Sequence, residues 1–127
     1  MDTRSPLIAI GALNAALAVA AGAFGAHGLR ERLEPRALEI FETGARYQMY
    51  HALAMILAGL LAARGLTGAT TAGWLFLAGI AIFSGSLYAL SLTDVKVLGA
   101  ITPLGGVAFL AGWLWLAYSA RRGAINP

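Results

Sequence analysis

The sequence contains no cysteine, which excludes a disulfide framework, a thiolate metal site and cysteine chemistry together. Charge is nearly as scarce: Asp, Glu, Lys and Arg make up 12% of 127 residues, against about 25% in ordinary soluble domains. The pI of about 9.8 rests on a net charge of only +3. The nine basic residues are scattered and not interleaved with aromatics, so a nucleic-acid partner is not expected. The chain also lacks a domain linker, a low-complexity tract, an internal repeat, a phosphate-binding glycine loop and a Ser-His-Asp order. No pair of acids lies inside an apolar run, no catalytic constellation is visible, and the expectation is a protein that is not an enzyme.

What fills the chain instead is apolar surface. Hydrophobic residues account for 59% of it and the mean hydropathy is +0.74. A soluble fold of this size has no way to bury so much, so lipid must be the solvent for most of the chain. The expected fold is all-α and polytopic: one domain over residues 1–127, with four transmembrane helices in an antiparallel bundle. The spans fall near 7–26, 46–63, 72–92 and 98–120. The first run follows Arg4 and ends in small residues, as a secretory signal does, but it exceeds the ~7–15 apolar residues of such a signal.

Between Leu29 and Arg46 the character changes, with four Arg and four Glu in eighteen residues. Pro35 suits a first helical turn, where its missing N–H costs nothing. One long helix is expected from there into the second apolar run, with an amphipathic interfacial foot and a possible kink at Gly44. Residues 64–71 read as a short polar connection and Thr93–Lys96 as a tight turn. Trp74, Trp113, Trp115 and Tyr118 lie near span ends, where aromatic belts form. Ala18, Gly22 and Ala26 on the first helix, and Gly105, Ala108 and Gly112 on the fourth, form small-residue ladders of the kind that let helices approach closely in lipid. Their partners are either in this chain or in another copy. Lys and Arg divide four against five between the two faces, which leaves orientation open.

Threading the spans puts nearly every intramembrane polar residue in one half of the bundle, near the loops that follow helices 1 and 3. His27 ends helix 1; Arg46, Tyr47, Gln48, Tyr50 and His51 begin the second span; Ser84, Ser86 and Tyr88 approach that face on the third, and Thr102 begins the fourth. Tyr47, Tyr50 and His51 are spaced i, i+3, i+4 and share a helix face. Ionisable groups inside a membrane are costly and face the bundle interior, which makes these ten residues a candidate polar pocket. Two readings of it stand: a structural hydrogen-bond network, or a site for a small ligand, lipid head group, quinone or proton. A third has haem or a metal between His27 and His51, although no Glu-x-x-His spacing or third ligand accompanies them.

Gly22–Leu29 (GAFGAHGL), Phe41–Ala52 (FETGARYQMYHA), Phe83–Tyr88 (FSGSLY), Ile101–Gly106 (ITPLGG) and Gly112-Trp113 occur in an order that resembles the YgdD/YwdK-like family. These are small four-span membrane proteins of unknown function with an animal mitochondrial transmembrane relative. The resemblance covers nearly the whole chain and implies four helices in an inner or plasma membrane. It brings no established activity, cofactor or catalytic residue. The function expected from residues and resemblance together is a non-enzymatic, helix-packing membrane component. Its expected partners are lipid, copies of itself or other membrane proteins.

Overall fold

The computed structural model describes residues 5–123. Helix α1 runs over Pro6–His27, with Pro6 in its first turn and the Ser5 hydroxyl accepting the Ile8 N–H at 3.2 Å. Helix α2, Pro35–Ala63, starts at its proline and continues through Gly44 as one 29-residue helix, about 43 Å long. A tight connection follows in which Gly65 and Gly68 take φ of 91° and 98°. Those conformations suit glycine because they cost any residue with a Cβ.

Gly68 caps α3, which spans Ala69–Gly79 and so begins three residues earlier than the sequence suggests. Thr70 and Thr71 look like loop residues, but once glycine has turned the chain they are tolerated in an exposed first turn. Next comes a π-helical turn, Ile80–Ser84, and then α4, Gly85–Thr93, which ends where Asp94 adopts a left-handed φ of 58°. Helix α5 is Leu98–Arg122. Pro103 lies inside it, near its start, so the Gly99 carbonyl loses its helical donor at an exposed position.

Three helical stretches are long and apolar enough to cross a bilayer: Pro6–His27, the continuous Ala69–Thr93 and Leu98–Arg122, with mean window hydropathies of 2.1, 1.9 and 1.6. In α2 the apolar stretch is diluted by Tyr47, Gln48, Tyr50 and His51. Packing follows chain order. Helix α1 lies along α2, α2 against α3 and α4, and α5 against α3 and the π turn; α1 has little contact with any other helix. One apolar core, centred on the fully buried Met55 and Phe76 with Leu7, Ile80, Phe109 and Leu116, joins α1, α2, α3 and α5.

Glycines set the close approaches. On α1 the buried small residues are Gly11, Ala18 and Gly25, spaced by seven. A Cβ on Gly11 would stand 2.9 Å from the Ala52 carbonyl oxygen of α2. Gly22 instead meets nothing within 4 Å, and Ala26 is exposed. On α5, Gly105 lies against the backbone of Phe83 and Gly112 against the ring of Phe76, with Ala108 half-buried between them.

Candidate functional site

The ten polar residues singled out above do not form one cavity. The structure distributes most of them into interhelical hydrogen bonds. Gln48, buried on α2, uses both ends of its amide: Nε2 donates to Asn14 Oδ1 of α1 at 3.0 Å, and Oε1 accepts from the Tyr88 hydroxyl of α4 at 2.7 Å. Asn14 Nδ2 in turn donates to the Ile10 carbonyl. One side chain thus ties α2 to both α1 and α4.

Ser84, almost wholly buried in the π turn, donates to the Gly44 carbonyl at 2.7 Å. The lack of a side chain at Gly44 permits this, since a Cβ there would stand 3.1 Å from the Tyr88 ring. Ser86 and Thr102 join α4 to α5 through their hydroxyls, 2.5 Å apart. Their two protons serve three contacts, because Ser86 also reaches the Phe83 carbonyl and Thr102 the Leu98 carbonyl.

His51 is buried on the side of α2 that looks toward α5. Its Nδ1 is 2.7 Å from the Tyr47 carbonyl, which only accepts, and its Nε2 is 3.1 Å from Trp113 Nε1, which only donates. The partners therefore fix the tautomer: Nδ1 carries the proton and Nε2 carries the lone pair. Phe109 stacks on the imidazole with centroids 3.5 Å apart and planes 8° from parallel. The ring is held on both edges and on one face.

The side chains of four of the ten stand apart from these bonds. His27 and Arg46 are exposed, and Tyr47, which lends only its carbonyl, packs edge-on against the exposed Tyr50. His27 lies two residues past Gly25, which touches Phe41, whereas His51 is ten residues or ~15 Å further along α2. The two histidines are not brought together. Among the described residues no group of three or more His, Asp and Glu converges.

Sequence reasoning passed over two partners, Asn14 and Trp113. Asn14 carried a legible signal, as the one amide in the first apolar run. Trp113 reads as a belt residue from its position, and nothing in the sequence marks its N–H as aimed inward.

Among the described residues, no buried side-chain nitrogen or oxygen lacks a hydrogen-bond partner. The arrangement can clamp helices. Beside it an open slot of about 620 Å³ runs between α2 and α5, lined by Tyr50, His51, Phe83, Gly106, Phe109 and Trp113 among others, and it is overwhelmingly apolar.

Residues 21–106 match the family model described as protein of unknown function (DUF423). The chain is 52% identical over 115 residues to the UPF0382 membrane protein YwdK of Bacillus subtilis, covering 89% of this chain and 94% of that one. It is 50% identical over 115 residues to a UPF0382 membrane protein of Staphylococcus epidermidis, covering 91% and 94%. These relatives agree with the resemblance carried by the motifs. No solved structure matches the chain.

Proposed function

This chain belongs to the DUF423 family of unknown function, and from that premise we propose that it is a four-span, non-enzymatic helix-packing component of the cell membrane. The observation that carries this reading is that, among the described residues, every buried side-chain nitrogen and oxygen has a partner within the chain. In hydrocarbon such groups cost several kcal/mol when unpaired, and here they join α1 to α2, α2 to α4, α4 to α5 and α5 back to α2. Helix α2 is the fourth span: Gln48 and His51 turn inward to these bonds, which offsets part of the dilution of its apolar stretch.

The partner surface is the outer side of α1. Within its apolar window only 17% of residues are buried inside the chain. Leu13, Leu17, Val19 and Phe24 face outward, and Gly22 opens on a shallow hollow shared with Ala18, Ala45 and Met49 and edged by Glu42 and Arg46. A small residue beside large outward ones is the pattern by which membrane helices pack on each other. The occupant proposed is a second copy of this chain.

Native mass spectrometry of the protein in mild detergent and in lipid nanodiscs tests the reading. Oligomers are expected, and Gly22→Leu is expected to convert them to monomers without unfolding the chain, since that side chain enters open space. Monomers alone in both media would overturn it. A polar-ligand or proton site at His51 is the weaker reading, because both ring nitrogens are already engaged.

A further inference from the structure

The charged residues of α2 are Arg36, Glu39, Glu42 and Arg46. Arg36 and Glu39 match each other at 3.4 Å. Glu42 and Arg46 are spaced i, i+4 in the order that favours an ion pair, yet among the described residues neither makes one. Glu42 is half-buried and Arg46 is exposed.

Their depth makes this costly. Arg46 shares a hollow with Gly22 and Ala18 of α1, which precede the end of that helix at His27 by five and nine residues. Arg46 therefore stands ~7–14 Å inside the end of an apolar span. Glu42 is nearer the surface, its Cγ 4.0 Å from where a Cβ on Gly25 would lie. Charges within a membrane span are expensive and find partners there. The same two side chains border a second hollow toward α4 and α5, with Phe83, Leu87 and Thr102. They crown the ridge of α2 between the two hollows. The other charged residues lining either are Arg36 and Glu39, already matched to each other.

Whatever covers the ridge must bring an anion to Arg46 and a cation to Glu42. Lipid head groups lie at the surface, whereas a second copy inserted the same way holds both charges at the depth of this one. Side chains on a helix lean toward its N-terminus. For α2 that end lies with the α1–α2 loop, so the Arg46 guanidinium reaches back toward the level of Glu42. A two-fold axis along the membrane normal then makes two crossed pairs from one cation and one anion, the self-complementary patch of a closed dimer. Gly22 leaves room beside it, since a Cβ there meets nothing within 4 Å.

We infer that two copies dock through the α1–α2 face with each Arg46 against the partner's Glu42. The inference rests on the self-association proposed above and names the contact that orients it.

The test co-expresses two full-length variants in one membrane. Glu42→Arg leaves two cations on the ridge, and Arg46→Glu leaves two anions. Native mass spectrometry in lipid nanodiscs separates like from mixed dimers by mass. Mixed dimers are expected in about tenfold excess over like ones, because like charges are set opposite each other only in the latter. An ion pair closed within one chain, or an Arg46 held by a lipid phosphate, gives random pairing instead, and random pairing overturns the inference. Should a single reversal fail to insert, Glu42→Ala with Arg46→Ala removes both charges and keeps helix propensity. That chain is expected to need about tenfold more protein for half-association in detergent, and unchanged association overturns the inference equally. Monomers alone from the unaltered chain, in detergent and in nanodiscs, overturn the self-association reading itself. Dimers that mix at random overturn only the pairing of Arg46 with Glu42.

Discussion

Gln48 is held at both ends of one amide, and the consequence of losing it is calculable. Gln48→Leu keeps the volume but strands the Tyr88 hydroxyl and the Asn14 carbonyl oxygen in an apolar setting. Interhelical hydrogen bonds in membranes contribute about 0.6 kcal/mol on average and up to ~1.7. Removal of two should therefore cost about 1–2 kcal/mol in a reversible unfolding titration in bicelles. Tyr88→Phe should destabilise the native chain but restore part of the loss in the Gln48→Leu background, because there it removes the hydroxyl left unpaired. Sequence position gathered Gln48, Tyr88, Ser84 and His51 toward one end of the molecule. Which of them touch was not legible, because pairing depends on how each helix is rotated about its axis. That rotation is set by tertiary contacts such as Gly11 on Ala52.

At the scale of the element, hydropathy and Pro35 locate most helix boundaries within a residue or two. The π turn at Ile80–Ser84 has no such marker. It widens the helix where Phe83 must pass the bare backbone of Gly105, and where Ser84 must reach Gly44. The small residues divide accordingly. Gly105→Ala drives a methyl group into the Phe83 main chain, which cannot rotate away as a side chain does; a loss of about 1–3 kcal/mol is expected. Gly22→Ala meets nothing within 4 Å and should leave stability unchanged within about 0.5 kcal/mol in the same titration. The small-residue ladders were visible in the sequence, but spacing alone does not separate Gly105, which is enclosed, from Gly22, which faces outward.

For the whole molecule the decisive quantity is the number of crossings. The chain has no cysteine of its own, so single cysteines report position without background. With four spans, Glu31→Cys and Lys96→Cys should react with a membrane-impermeant maleimide from one side of sealed vesicles, and Thr67→Cys from the other. All three positions are exposed at loops or turns. Labelling of positions 31 and 67 from the same side would show that α2 does not cross. The experiment also fixes the orientation that the four-against-five division of basic residues leaves open. The packing order has a bearing on biosynthesis. Consecutive spans are one another's main partners, so α1 can seat on α2 while later spans are still in the ribosome. Tyr47 and His51 are the exception. They wait for Phe109 and Trp113, some sixty residues later, and their aromatic stack closes only when the last helix arrives. That stack belongs to the last stage of assembly, and a nascent chain stalled before α5 would expose an open aromatic seam to the insertion machinery.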